Sequence, residues 1–136
     1  MLGKTRRAEI RALLDDYLDR IRHYVEIKAV ELRDSAAAMR KLDLGGAATV
    51  VSLDAAGKQF TSEQFARWLA GQRDRGTREL VFLCGDAEGF PEALRRKATV
   101  KLALASLTFS HELARVMLAE QIYRAFTILS GHPYPK

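Results

Sequence analysis

Apolar residues recur at helical spacing near both ends of the chain. In residues 5–24 they lie three or four positions apart and charged residues fill the opposite face, which predicts an amphipathic helix. In residues 110–130 they wrap more than one stripe, starting at Ser110, a suitable N-cap, and ending just before Gly131. This second pattern predicts a long helix that can pack on its own sheet and on a second surface at once.

Short apolar runs alternate with helical segments between these two helices. The runs at 48–53, 79–84 and 100–107 are compact, as expected for strands buried on both faces. The β-branched stretch 25–32 predicts a further strand, and "DAAGK" at 54–58 predicts a turn. The helices predicted between strands are residues 35–42, a segment with a capping box at Thr61 and Gln64 that ends at Gly76, and a short stretch beginning at Pro91.

This alternation predicts an α/β fold with a mainly parallel sheet and helices on both of its faces. No internal repeat, low-complexity stretch or linker interrupts the 136 residues. We therefore expect one domain, residues 1–136, which is long enough to bury a core of ordinary size.

The composition shows that the protein is basic and predicts its cellular compartment. Lys and Arg number 22 against 17 acidic residues, a net charge of +5, which suits a polyanion such as nucleic acid but also fits a protein that is merely basic. The single cysteine, Cys84, excludes an intrachain disulfide, and the first residues lack the apolar core of a signal peptide. With no apolar run of membrane-spanning length, the sequence predicts a soluble, cytoplasmic protein without a membrane partner.

Ligands of an open α/β sheet bind in the loops that follow the carboxyl ends of the strands. Those loops are 52–58, 84–90 and 105–111, and the second carries Gly85 and Gly89, which would let backbone amides approach a ligand closely. The G-x-x-x-G pattern is weak evidence, since an ordinary strand-to-helix turn can have it. The loop is neither a Walker motif nor a Rossmann fingerprint, because the residues that define those motifs are absent.

The candidate catalytic side chains do not form a recognised constellation. Ser106, Ser110 and His111 could suggest a nucleophile and a base, but they share one loop and no G-x-S-x-G elbow supports that chemistry. No His, Cys or acidic residues have metal-ligand spacing, so no metal is expected. Residue types and spacing alone therefore indicate only a basic α/β protein with ligand-binding loops.

The last third of the chain is more specific. "SLTFSHELARVMLAEQIYRAFTILSGHPYPK" closely resembles the carboxyl end of the RlmH family, SPOUT-class methyltransferases that modify N3 of a pseudouridine in 23S (large-subunit) ribosomal RNA. The resemblance extends back through "VFLCGDAEGF" and "TVVSLDAAGKQFTSEQFARWL" to "GKTRRAEIRALLDDYLDRI". It implies a carboxyl-terminal trefoil knot, a homodimer, and S-adenosylmethionine bound in the knot. Because its apolar residues wrap more than one stripe, the last helix is expected in the dimer interface.

The resemblance also assigns site residues. His111, Arg115 and Tyr134 would lie on the substrate side, and His132 and Lys136 would meet RNA phosphates. The stiff tip of the chain, residues 132–136, would be ordered across the dimer as part of the RNA-facing wall. The residues expected to bind the adenosine of the cofactor are Leu53, Gly85, Leu104, Ala105, Ser106, Leu107, Thr108 and Phe109.

Three departures from the family pattern accompany this resemblance. Only Met1 and Leu2 precede Gly3, so most of the first strand is missing; Asp86 replaces the second of two adjacent glycines; and Pro135 stands where the family has histidine. They motivate an alternative hypothesis, an RNA- or ribosome-binding dimer of the same fold with weakened or lost turnover. A translation start upstream would also explain the short first strand.

Overall fold

The computed structural model describes residues 1–46, 48–85 and 89–134. None of the helices in these three ranges is long and apolar enough to cross a membrane. The elements are, in chain order, α1 (Ala8–Ile21), α2 (Ser35–Gly45), β1 (Thr49–Gln59), α3 (Ser62–Asp74), β2 (Leu80–Leu83), α4 (Glu92–Arg95), β3 (Val100–Ala103) and α5 (His111–Ser130).

The three strands form a parallel sheet in the order β2-β1-β3. Neighbouring residues of central β1 point to opposite faces, as strand geometry requires. Val51 joins a core cluster with residues of α1, α3 and α5, whereas Val50 joins a second cluster with residues of α2 and α4. The α/β class, the parallel sheet and the helices on both faces are thus confirmed.

Strand β1 is longer than expected. The segment predicted as a turn, 54–58, is an irregular part of the strand, since β1 pairs with Leu102 of β3 both at Leu53 and again at Lys58. Gly57 makes this possible because a Cβ there would lie 2.7 Å from the carbonyl carbon of Lys101. Only a residue without a side chain can bring the bulged backbone this close to β3.

The strand expected at 25–32 does not form. Its only ladder contact is an isolated parallel bridge between Leu2 and Leu32, and Val25 and Val30 remain exposed. The reason is the lack of a full partner strand: residues 1–3 are the part of the described chain that pairs with this segment through its backbone, and they form two backbone hydrogen bonds with Leu32 and one with the carbonyl of Val30. Strand β3 is also shorter than predicted and ends at Ala103, which leaves the following residues free to form a loop.

The predicted helix boundaries are confirmed at several points. Thr61 and Gln64 form the full capping box of α3, with each side chain accepting a backbone N–H of the other residue. Helix α5 begins after Ser110, whose hydroxyl accepts the N–H of Leu113, and ends at Gly131 in the left-handed region with φ 73°. The helix after Pro91 is only four residues long, Glu92–Arg95.

The amino-terminal segment is fixed by a buried arginine. Arg115, in the second turn of α5, is only 2% exposed, and its guanidinium donates to the carbonyls of Leu2 and Gly3 and to the hydroxyl of Thr5. The N–H of Leu2 donates to the carbonyl of Cys84, just after β2. Residues 1–5 therefore connect the end of β2 to the start of α5.

We expect Arg115→Met to lower the free energy of unfolding by about 3 kcal/mol, because buried carbonyl and hydroxyl acceptors lose their donor. Urea denaturation at neutral pH measures this loss. Arg73→Met on α3 is a control of matched chemistry at a side chain that is 69% exposed, and we expect it to change stability by no more than about 0.5 kcal/mol. Equal effects of the two substitutions would show that the buried contacts do not stabilise the fold.

Candidate active site

A cleft of about 570 Å³ opens where β2 and β3 end and where β1 becomes irregular after Leu53. This is the edge at which open α/β sheets bind ligands. The loops after β2 and β3, the irregular part of β1 and the first turn of α5 form its walls. The lining residues are Leu53, Asp54, Ala55, Cys84, Gly85, Gly89, Phe90, Arg95, Leu102, Leu104, Ala105, Leu107, Thr108, Phe109, Ser110, His111 and Ala114.

The structure brings together all the residues predicted to bind the cofactor except Ser106. Leu53, Gly85 and the loop 104–109 come from three distant parts of the chain and meet in this one cleft. Ser106 is exposed, and its hydroxyl accepts a hydrogen bond from the Gln59 side chain at 2.8 Å. This hydrogen bond holds the loop against the end of β1, so Ser106 contacts the protein and does not line the cleft.

Gly85 and Gly89 shape the second wall. Gly89 has φ 80°, which is favourable only for glycine, and a Cβ at Gly85 would lie 3.2 Å from the Cα of Gly89. The absence of a side chain at 85 thus lets the two ends of this loop approach each other. Asp86, which departs from the family pattern, lies outside the described residues.

Several lining residues escaped the sequence prediction. Asp54 and Phe90 belong to loops that were recognised, but nothing in their type distinguished them. Arg95 lies on α4 and lines the cleft, and its guanidinium would be in ordinary van der Waals contact, at 3.8 Å, with a Cβ at Gly89. In the sequence, the only sign that Arg95 could reach the cleft was its position about one helical turn after the loop 84–90. It adds a cation to an otherwise largely apolar wall.

Cys84 lines the cleft as a neutral thiol. Its side chain is buried, and burial raises the pKa of the thiol above its usual range. Nucleophilic cysteines need the thiolate, so this cysteine is suited to packing. Among the residues described, no three side chains of His, Cys, Asp or Glu are grouped as metal ligands.

The residues predicted for the substrate side are not all at the cleft. His111, partly exposed at the start of α5, lines it, whereas Arg115 one turn later is buried against residues 2–5. His132 is exposed beyond the end of α5, where its N–H donates to the carbonyl of Thr127. Lys136 and Pro135 lie outside the described residues. The structure therefore assigns Arg115 a contact with the amino-terminal segment.

Tyr134 packs on helices of its own chain and away from its own cleft. Its ring meets Tyr123 edge to face at 4.8 Å, and the Arg124 guanidinium lies 4.6 Å from the ring centroid. The hydroxyl lies 3.4 Å from both the Tyr17 hydroxyl and a Glu120 carboxylate oxygen. Burial and these neighbours raise the pKa of Tyr134 well above its usual value. The phenol is therefore neutral and acts as a hydrogen-bond donor.

Glu112 binds the backbone beside the cleft. One carboxylate oxygen accepts the N–H groups of Arg6 and Arg7 at 2.9 and 3.1 Å. These bonds, that from Arg7 above all, hold the pKa of Glu112 below its ordinary value of 4.5. Because Glu112 follows His111 directly, the segment that contains Arg6 and Arg7 lies next to the cleft wall.

The lowered pKa of Glu112 predicts a pH-dependent contribution to stability. Because the pKa of Glu112 is lower in the folded protein than in the unfolded chain, its carboxylate stabilises the fold above the ordinary pKa of glutamate. This contribution is lost as the pH falls through the lowered pKa of the folded protein. We expect Glu112→Gln to destabilise the protein more at about pH 7 than at about pH 3, measured by urea unfolding at both pH values.

Glu63 provides the matched control for this prediction. It occupies the same second position of its helix, α3, and its carboxylate accepts no hydrogen bond from any residue that the structure describes. Glu63→Gln should show a smaller pH-dependent difference, because the substitution removes no hydrogen bond that the structure describes. Identical pH profiles for the two variants would contradict the role of the backbone contacts of Glu112.

Comparison with known proteins identifies the family. A family model described as "Predicted SPOUT methyltransferase" matches residues 1–135. Among curated relatives, the protein of Geotalea daltonii is 42% identical over 144 residues, covering 98% of this chain and 94% of the relative. The protein of Koribacter versatilis is 39% identical over 135 residues (98% and 92%), and that of Xanthobacter autotrophicus 40% over 152 residues (98% and 94%).

All three relatives are named ribosomal RNA large subunit methyltransferase H. The resemblance seen in the last third of the sequence, and more faintly at its start, is thereby confirmed. On the basis of a family match that covers almost every residue, this chain belongs to the SPOUT methyltransferase family.

Proposed function

We propose that this protein transfers a methyl group from S-adenosylmethionine to large-subunit ribosomal RNA, at N3 of a pseudouridine. The observation that carries the proposal is the cleft, where Leu53, Gly85 and the loop 104–109 converge from three parts of the chain. Relatives that share this sequence over most of their length are named as methyltransferases of that RNA.

The cleft suits the proposed cofactor. Its volume of about 570 Å³ lies in the range of small-molecule sites, and its walls are mostly apolar side chains and loop backbone. Backbone groups of residues 104–109 would hydrogen-bond the adenine edge while Leu53 and Leu107 cover its faces. When bound, the cofactor supplies a methyl group already activated on a sulfonium. The glycines at 85 and 89 contribute no side chain to the opposite wall, which leaves room beside Phe90 and Arg95.

The remaining work for the protein is alignment and charge stabilisation. An imide nitrogen must lie in line with the methyl group and lose its proton as the bond forms. His111 and Arg95 are polar side chains of the cleft wall that can face the base. A guanidinium there would stabilise the negative charge that develops on the imide.

We propose that the active protein is a homodimer in which the carboxyl tip acts across the interface. Helix α5 exposes Leu113, Met117 and Ile128, a large apolar surface for the interface to cover. Tyr134 does not line the cleft of its own chain, so a role in substrate binding requires the cleft of a second copy. We also propose that the carboxyl-terminal part of the chain forms a trefoil knot.

We expect Gly85→Val to abolish stoichiometric binding of S-adenosylmethionine in calorimetry. A Cβ at 85 would already lie 3.2 Å from the Cα of Gly89, so the loop must shift, and the branched side chain of valine would add further bulk to the cleft wall. Gly71→Val on α3 is the matched control, because a Cβ there has no neighbour within 4 Å. Unchanged binding by the Gly85 variant would refute the site. Absence of binding by the parent protein would favour the non-catalytic, RNA-binding hypothesis.

We expect deletion of residues 132–136 to abolish methylation of ribosomal RNA and to leave cofactor binding unchanged. Mixing the deleted protein with Gly85→Val should then restore about a quarter of the parent activity, because half of randomly paired dimers have one complete site each. Exchange of subunits is confirmed by sedimentation. Full activity of the deleted protein alone would exclude a role for the tip, and failure of the mixture would exclude action across the dimer.

A further inference from the structure

Two arginines beside the cleft are held rigidly by their backbone while their side chains point into solvent. Arg6 and Arg7 are exposed, and the residue before them, Thr5, is only 3% exposed. Glu112 accepts the N–H of each arginine, and Arg115 binds the hydroxyl of Thr5. This short segment therefore has a fixed conformation without using either guanidinium.

The charge of these arginines is not neutralised by a direct ion pair. Within residues 1–46, 48–85 and 89–134, no salt bridge involves Arg6 or Arg7, although Glu112 lies next to both. The carboxylate instead takes their backbone N–H groups. The nearby Glu31 pairs with Arg11 at 2.9 Å. Both guanidiniums thus stay available to an external anion.

The segment of residues 5–7 lies beside the cleft in which the proposed reaction takes place. Glu112 lies in the first turn of α5, directly after His111, which lines the cleft, and the N–H of Leu2 donates to the carbonyl of Cys84 in the opposite wall. A nucleic acid whose reactive base enters the cleft would bring its neighbouring phosphates toward Arg6 and Arg7 at the edge of the cleft. Phosphate contacts position a nucleic acid without reading its sequence, and arginine suits them because its donors form a planar fork.

We propose that Arg6 and Arg7 form a phosphate-binding rim that positions the backbone of the RNA substrate at the cleft, with Glu112 holding the rim in place. This inference rests on the proposed function, since the cleft must be the methyl-transfer site. The rim contributes to RNA affinity and leaves cofactor binding and the chemical step to other residues.

The test is Arg6→Gln/Arg7→Gln in the full chain, with purified large ribosomal subunits as the ligand. Binding is measured over a series of KCl concentrations. Loss of two phosphate contacts should reduce the slope of log K against log[salt] by about 1.4 to 1.8. The KM for ribosomal subunits should rise about tenfold while kcat and calorimetric cofactor affinity stay unchanged, as expected for lost uniform binding.

Two comparisons make the result specific. Arg75→Gln/Arg78→Gln removes the same charge just before β2, at the amino end of the sheet away from the cleft, and should leave KM near the parent value. Arg6→Lys/Arg7→Lys restores the charge and should recover the salt slope. An equal loss in the control pair, or no recovery with lysine, would overturn the rim.

The outcomes also separate this inference from the proposed function. If the parent methylates ribosomal RNA and the glutamine variant has the parent KM and salt slope, the rim is refuted and the methyl-transfer site stands. If the parent neither binds S-adenosylmethionine nor methylates, the proposed function fails and the inference falls with it.

Discussion

The buried guanidinium of Arg115 is the contact on which the arrangement of the cleft depends. It joins the start of α5 to the carbonyls of Leu2 and Gly3, and Leu2 in turn is bonded to Cys84 at the end of β2. The two ends of this chain of contacts are opposite walls of one cleft. A charge so deeply buried is tolerated because two backbone carbonyls and a hydroxyl accept hydrogen bonds from the two terminal nitrogens of the guanidinium.

This polar anchor replaces a conventional strand pairing. The segment 25–32 has the β-branched composition of a strand, yet residues 1–3 give it too few backbone partners to form a ladder. A β-propensity is realised only where a neighbouring strand supplies hydrogen bonds. The amino-terminal residues are therefore held from two sides, by Arg115 and Glu112 of α5 and by backbone hydrogen bonds to residues 30–32 and to Cys84.

The sequence predicted what local chemistry determines. The capping box at Thr61, the helix end at Gly131 and a strand at 48–53 buried on both faces all follow from residue types at short spacing. The cleft was also predictable, through family resemblance and the rule for open sheets. The contacts of Arg115 and Ser106 could not be predicted, because their partners are distant in sequence. No local sequence pattern shows that an arginine or serine near the start of a helix is buried or hydrogen-bonded to another part of the protein.

The span of the Arg115 contact bears on how the protein folds as it is made. The bond to Leu2 joins residues 113 positions apart, and that to Thr5 spans 110. Contacts of such separation close late, after the intervening chain has collapsed. The carbonyls of Leu2 and Gly3 therefore wait for α5, more than a hundred residues further along the chain, before they find this donor. Completion of the cleft is coupled to the synthesis of α5, so a nascent protein cannot present a finished site before that helix has been made.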